Sequence, residues 1–392
     1  MKENKALVLG ANYYIGLSAI RCLGRKGVWV TAADYDKKRA YAFRSRYCRE
    51  QLLLPHYDDT ENFVSALMDF GQQQKTKPLL IPTADAYAQV VDSHAAQLGK
   101  HFLLTNPRPS YYSDIIDKSR LHKLAADHNV AVPETLPSSM ADRAQEVLGF
   151  PCLVKPLDSP HMVSAFRVKM FEVDNQQQLE EVLQRCNHHN IEVLLQRIIP
   201  GPDHHMHTYD AYVDQKGKVT HWLTCRKLRQ YPINYGASVF TRQQYVPRLH
   251  DIGGHFLEAI GYKGFAEIEF KYDSQRDTYY LIEINVRLSN LNVMLDRAGL
   301  NFPWITYRDM LGDPLPSRAI TRDTGLHFWF FREDMAAIRD YLKAGQMKLS
   351  QALVSLFVKK VYAVWQWSDP LPGLAYALRR TRRRWRKILR RD

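Results

Sequence analysis

The first hundred residues alternate short apolar runs with stretches of helical spacing, and this rhythm restricts the fold more than any other feature of the chain. Ala6–Leu9 is a run fit for a buried strand, Ile15–Gly24 carries apolar residues at helical spacing, and Val28–Ala33 is a second strand ending at Asp34. Leu52–Pro55 and Leu79–Pro82 supply two more strands around a predicted helix at Glu61–Phe70. Leu103–Thr105 closes the set before the break at Asn106–Pro109. Strands alternating with helices in this way predict an open parallel sheet covered on both faces.

From Ser110 the pattern changes. A helix bearing Lys118 leads to Val132–Pro133 and then to a strand at Cys152–Lys155; Leu179–Cys186 has helical spacing, and Val193–Gln196 is a short strand ending in Arg197-Ile-Ile-Pro-Gly201. His207–Asp214 and Val219–Arg226, joined by a turn at Gln215-Lys-Gly217, predict a hairpin. Two acidic strands follow at Phe265–Lys271 and Thr278–Ile284, and Asp313–Pro316 marks a boundary. Beyond it lie an aromatic strand (His327–Phe331), two predicted helices and a basic tail. The expected division is 1–109, 110–315 and 316–392, and a length of 392 residues accommodates two or three domains.

The five cysteines are scattered and show no C-x-x-C spacing, so neither a disulfide framework nor a cysteine zinc site is expected, and a reducing compartment is the default. No secretory signal and no window of about 20 apolar residues is visible. A cytoplasmic protein is therefore expected, peripheral at the inner face of a membrane if the tail binds lipid. The net charge of +13 is concentrated: residues 379–392 hold nine bases and one acid, leaving +5 for the other 378 residues.

Gly10-Ala11-x4-Gly16 after a strand, with Asp34 after the next, faintly resembles a dinucleotide fingerprint but lacks its spacing; a tight strand-to-helix turn explains the glycines equally well. The acidic strands say more. They read GFAEIEFK (264–271) and LIEINVR (281–287). Side chains alternate along a strand, so Glu267 and Glu269 share a face, as do Glu283, Asn285 and Arg287. If the strands pair across Asp273–Asp277, Glu269 and Glu283 converge beside Asn285, a hard-oxygen set suited to Mg²⁺; a strand face merely studded with acids is the alternative. Upstream, Lys155 ends an apolar strand, where its ammonium can meet a phosphate while its stem packs on apolar neighbours. Lys118 precedes it, and Leu-Leu-Gln-Arg-Ile-Ile-Pro-Gly201 stands between, able to offer backbone groups to an adenine edge.

In this order, these residues resemble the ATP-grasp superfamily from Lys118 to about Leu311, and within it the carboxylate–amine ligases typified by D-aspartate ligase. The local matches are FPCLVKPLDS (150–159), QRIIPGPDHHMHTYDAYVDQKGKV (196–219), RKLRQYP (226–232), AEIEFKYD (266–273) and YLIEINVR (280–287). The resemblance implies an α/β chain: a Rossmann-like preceding domain, then an ATP-grasp fold of two α+β subdomains (a lid at about 118–195 and a metal-binding part at about 196–315), then a helical basic extension. It implies that Lys118 and Lys155 hold the ATP phosphates, that Gln196, Arg197, Ile198 and Ile199 line the adenine hinge, and that Asp203 meets the ribose. Glu269, Glu283 and Asn285 would bind two Mg²⁺ ions, with Mn²⁺ able to substitute. Arg287 would steady the γ-phosphoryl group and the acyl intermediate, and Arg226 or Lys227 would add positive charge.

The loop expected after Lys155, DSPHMVSAF, lacks the glycines common in phosphate-covering loops, leaving Ser159, His161 and Lys169 as candidates to cover the phosphates; Val286 replaces a common proline. His204, His205 and His207 invite a zinc reading, but no further ligand stands at a convincing spacing.

The implied activity is ATP- and Mg²⁺-dependent joining of a carboxylate, as of an amino acid, to an amine acceptor such as a cell-envelope precursor. One alternative is a ligase making a dipeptide or modified metabolite. Another is a nucleotide-binding protein without turnover, associated with a membrane surface or nucleic acid. In the tail, Leu374, Leu378, Trp385 and Leu389 form a helical stripe among arginines, which suggests an anionic membrane surface through 374–392. RNA, or docking on the protein's own surface, competes with that reading. Oligomeric state and substrate identity are not legible.

Overall fold

The computed structural model describes residues 4–106, 108–157 and 159–388, the side chains of Ser159, Pro160 and residues 380–388 excepted. The Ser159 and Trp385 side chains and all of Leu389 thus lie outside the described residues. The chain forms two compact units. The first takes it to Ile116 and resumes over Thr208–Ile268 and from Ile284 onward; the second comprises Asp117–His207 and Glu269–Glu283.

The predicted parallel sheet is present in the first unit. Strands β1 (Ala6–Leu9), β2 (Val30–Asp34), β3 (Glu50–Leu53) and β4 (Leu79–Pro82) lie in the order β3-β2-β1-β4, all parallel. Alternation along β1 explains why the run is wholly apolar. Ala6 and Val8 face one core with the helix Tyr14–Gly24, while Leu7 and Leu9 face another with Phe63, Leu67 and Phe70 of the helix Thr60–Gln72.

The second unit holds an antiparallel sheet of β5 (Thr135–Pro137), β6 (Cys152–Pro156), β7 (Phe171–Val173) and β8 (Val193–Arg197), ordered β5-β8-β6-β7. Leu179, Val182 and Cys186 of the helix Gln176–His188 pack into its core. The Asn175 side chain caps that helix by accepting from the Gln178 amide at 3.0 Å. Asp117 caps the helix Lys118–Asp127 in the same way, accepting from the Ser119 and Arg120 amides at 2.9 and 3.0 Å. The stretch after Lys155 departs from expectation: it is a helix, Ser159–Phe166, rather than a loop. With no glycine and with Pro160 able to sit in a first turn, nothing in it opposes helix formation.

A third sheet of eight strands has most of its length in the first unit. Its members are β9 (Met206–Val213), β10 (Val219–Tyr231), β11 (Ala237–Gln243), β12 (Gly264–Asp273), β13 (Thr278–Asn285), β14 (Arg318–Ala319), β15 (His327–Trp329) and β16 (Lys360–Tyr362). The order is β13-β12-β9-β10-β11-β15-β16, with β14 on β10. The chain leaves the first unit along β12 and returns along β13. The helix Pro247–Ala259 was not legible because Gly253 and Gly254 interrupt its apolar spacing. Their use is contact: a Cβ on Gly253 would stand 2.8 Å from the Tyr209 ring.

Residues beyond 316 do more than trail from this sheet, since they supply β14, β15 and β16. Two buried ion pairs fasten them. Arg229 meets Asp334 at 2.5 Å, and Asp334 also accepts from the Trp329 indole at 2.7 Å. Arg21 meets Asp369 at 2.9 Å, where Ser45 donates a further bond at 2.7 Å.

Candidate functional site

In the second unit, β6 and β8 pair with Leu153 opposite Gln196 and Lys155 opposite Leu194. Lys155 and Gln196 are thus diagonal neighbours on one face. Both side chains are buried, and the Lys155 ammonium donates to the Gln196 amide oxygen. The Gln196 amide nitrogen donates to Thr135 Oγ1 at 3.1 Å, and Thr135 spends its own proton on the Pro133 carbonyl at 2.9 Å. His122 Nδ1 lies 3.3 Å from the same hydroxyl, which therefore accepts from it. Burial, with Lys155 and Lys118 nearby, pushes His122 down to about 4, so the ring is neutral at physiological pH. A chain from His122 through Thr135 and Gln196 thereby fixes where the Lys155 ammonium sits. Neither His122 nor Thr135 carries a local motif that would single it out from sequence.

Burial and then Lys118 push Lys155 down to about 8, while Glu283 and Glu269 pull it back. Lys118 is also lowered, first by burial; Glu283 opposes the shift and Lys169 adds to it. Its ammonium bonds only weakly to the Pro156 carbonyl, at 3.4 Å. Two expected cations and two expected carboxylates therefore act on one another within this unit. With Lys118 acting on Lys155 and Lys169 on Lys118, the two buried ammonium groups form a setting that an anion would relieve.

The segment at the end of β8, where the hinge is expected, is fastened from both sides. Arg197 pairs with Glu134 at 3.0 Å, and its amide donates to the Glu134 carbonyl at 2.9 Å. The side chains of Gln196 and Arg197 are thus committed, and what this segment can offer a base is its backbone near Ile198 and Ile199. Ile199 is buried and Ile198 half-buried. Gly201 has φ +110°, and a Cβ there would run into the His205 ring. Lys271 ties down the Gly201 and Pro202 carbonyls at 2.6 and 3.0 Å. Asp203 is buried at the start of the turn Asp203–His205. His205 Nδ1 lies 3.1 Å from the Tyr272 carbonyl, and His207 packs edge-on against Tyr279.

In the first unit, Asn285 donates to Glu267 at 3.0 Å and accepts from Arg287 at 3.2 Å. Arg287 also pairs with Asp85 at 3.0 Å. Burial works against the guanidinium charge, but Asp85 and then Glu267 outweigh it and raise the pKa of Arg287. Glu267 shared the predicted face; Asp85, at the start of the helix Asp85–Ser93, had no signal in the sequence. Arg226 and Lys227 are successive residues of β10 and point to opposite faces, Arg226 half-buried opposite Arg242 and Lys227 fully buried. They therefore cannot serve one centre together.

Within the second unit, Glu269 and Glu283 are hard oxygen donors of the kind Mg²⁺ takes in small number alongside water and phosphate. Among the described residues no three of His, Cys, Asp and Glu form a metal-holding group. Gly10, Gly16 and Asp34 all have local roles. Gly10 adopts φ +99°, a Cβ on Gly16 would strike the Gly10 carbonyl, and Asp34 accepts from the Asn12 and Asp36 amides at 2.7 and 3.0 Å.

Residues 117–298 match the family model of the carbamoyl-phosphate synthase L chain, ATP binding domain. D-aspartate ligase of Enterococcus faecium (strain Aus0004) is 26% identical over 266 residues, which cover 64% of this chain and 63% of that protein. The chain thus matches less than two thirds of the length of this relative. Among solved structures, the biotin carboxylase domain of Hydrogenobacter thermophilus 2-oxoglutarate carboxylase, in complex with MgADP, ADP and bicarbonate, superposes with a TM-score of 0.66 at 17% identity, covering 83% of this chain and 74% of that one. N5-carboxyaminoimidazole synthetase from Staphylococcus aureus, complexed with ADP, gives 0.63 at 15% identity, covering 81% of each chain. Family model, curated relative and fold together show an ATP-grasp domain over residues 117–298, in a chain similar to D-aspartate ligase.

Proposed function

We propose that this protein is an ADP-forming ligase that activates a carboxylate with ATP and joins it to an amine. The observation that carries the proposal is the second unit's arrangement of Lys118 and Lys155, buried enough to be lowered in pKa, acting on Glu269 and Glu283. A carboxylate is a poor electrophile. Transfer of the γ-phosphoryl group onto its oxygen gives an acylphosphate and ADP; attack by the amine then expels inorganic phosphate and leaves the amide. Such catalysis is mostly positioning and charge neutralisation.

Lys118 and Lys155 hold the triphosphate, the latter aimed by Gln196. Backbone groups from Gln196 to Ile199 meet the adenine, and Asp203 meets the ribose. Glu269, Glu283 and Asn285 hold two Mg²⁺ ions, or Mn²⁺ in their place, which when bound offset charge on the transferred group. Arg287, kept charged by Asp85 and Glu267, steadies the acyl oxygens. Of Arg226 and Lys227, only one contributes. By the likeness to D-aspartate ligase, the carboxylate is that of an amino acid and the acceptor an amine, a cell-envelope precursor being consistent with a tail, 374–392, that seats on an anionic membrane.

The test is ADP release measured against a panel of amino acids, D-aspartate among them, with and without amine acceptors. Release that requires both partners supports the proposal. Nucleotide binding with no turnover for any pair overturns it.

A further inference from the structure

The last fifty residues, 343–392, hold thirteen bases and two acids, so they carry +11 of the chain's +13 and leave +2 for the first 342. Apolar exposure is concentrated in the same place. Of seventeen large hydrophobic side chains exposed among the described residues, ten lie between 349 and 378, with Phe357 88% and Trp367 84% exposed. One of the two acids, Asp369, is buried against Arg21 and offers no charge to the surface.

Part of this apolar exposure gathers at the β15–β16 edge of the sheet. The Phe331 and Trp329 rings are 5.0 Å apart, and those of Trp329 and Tyr362 are 5.5 Å apart. The Lys360 ammonium stands 4.9 Å over the Trp329 ring and donates to the Leu356 carbonyl at 2.5 Å, which brings the Ser355–Phe357 turn, and Phe357 with it, to the same edge. Trp367 then precedes the helix Leu371–Ile388, held by Trp365 packed against Gly373.

We propose that this edge, with Phe357 as its apolar anchor, and the segment before the last helix, with Trp367 as its anchor, seat the protein on an anionic lipid bilayer together with the tail. Exposed aromatic side chains bordered by lysine and arginine, with almost no acid, match the boundary between acyl chains and negative headgroups. No helix among the described residues is long and apolar enough to cross a membrane, so the fit is to the surface. A bilayer uses the exposed aliphatic residues Leu349, Leu353, Val354 and Leu356 as well as the aromatics and the charge, whereas RNA would use charge and aromatic stacking. The proposal rests on the membrane reading of the tail and extends it to a second, folded element. It is independent of the ligase chemistry.

The experiment is co-sedimentation of the full-length chain with phosphatidylcholine vesicles, with and without phosphatidylglycerol. Wild type and a Phe357→Ser/Trp367→Ser variant are compared, and MgATP binding reports that the variant is folded. The result expected is binding that requires phosphatidylglycerol and weakens about tenfold or more in the double variant with MgATP binding unchanged. Wild-type binding that survives intact in the double variant would overturn the proposal while leaving the tail reading in place. Binding to single-stranded RNA with no binding to either vesicle would overturn both.

Discussion

The two units treat buried cations differently. In the first, two buried arginines are matched to acids, Arg21 to Asp369 and Arg229 to Asp334. In the second, Lys155 donates to a neutral amide and stands near Lys118, which lowers its pKa further. The first arrangement holds structure together. The second bears a cost in the absence of ligand, which an anion with its metal ions can offset. Charge that folding alone does not need marks where function is to be sought.

Substitutions can break this contrast. The largest effect is expected at Glu283. Glu283→Gln keeps shape and removes the charge, so ATP turnover should fall about a thousandfold or more with the melting temperature unchanged; wild-type rates would remove the metal assignment. Asp369→Ala should do the reverse. It leaves Arg21 buried without its acid and should cost about 3–5 kcal/mol in denaturant unfolding, whereas a loss well under 1 kcal/mol would mean that the pair does not hold the C-terminal segment.

A pH series sharpens the contrast. Lys155 is charged below about pH 8 in the folded protein, so affinity for a non-hydrolysable ATP analogue should decline as pH rises through about 8. Unfolded lysine keeps its proton to about 10.4, so the unfolded state binds more protons between the two values. This group's contribution to stability therefore rises with pH across that window. Lys155→Met should flatten both slopes, and slopes that persist in it would assign them elsewhere. A smaller effect is expected in the first unit, where burial pushes Asp34 up to about 6. The folded state takes up that proton before the unfolded state does, so stability gains as pH falls from 7 toward 4. Asp34→Asn should remove that gain in a thermal-melt series.

How much of this was legible in the sequence follows from how local each signal is. Leu79–Pro82 could be bounded correctly because a buried parallel strand is a short apolar run with clear ends. Lys155 could be picked out because it ends an apolar strand, and the Glu-x-Asn strand because alternation sets its faces. The strand leading to Arg197 was legible, but the pairing of Arg197 with Glu134 was not, since the two are 63 residues apart. The same applies to Thr135 and His122, whose value lies in what they touch. The helix after Lys155 was read as a glycine-free loop because the resemblance expects a phosphate-covering loop there, and that outweighed local propensity.

The most direct test is calorimetric titration of a non-hydrolysable ATP analogue with Mg²⁺ into wild type, Lys118→Met and Lys155→Met at pH 7. A charge-assisted bond is worth about 1.5–3 kcal/mol, so each variant should bind roughly ten- to a hundredfold more weakly. Each should also melt no lower than wild type, because an unfavourable buried charge has gone. Affinity unchanged in both variants would contradict the assignment of these two lysines to the triphosphate.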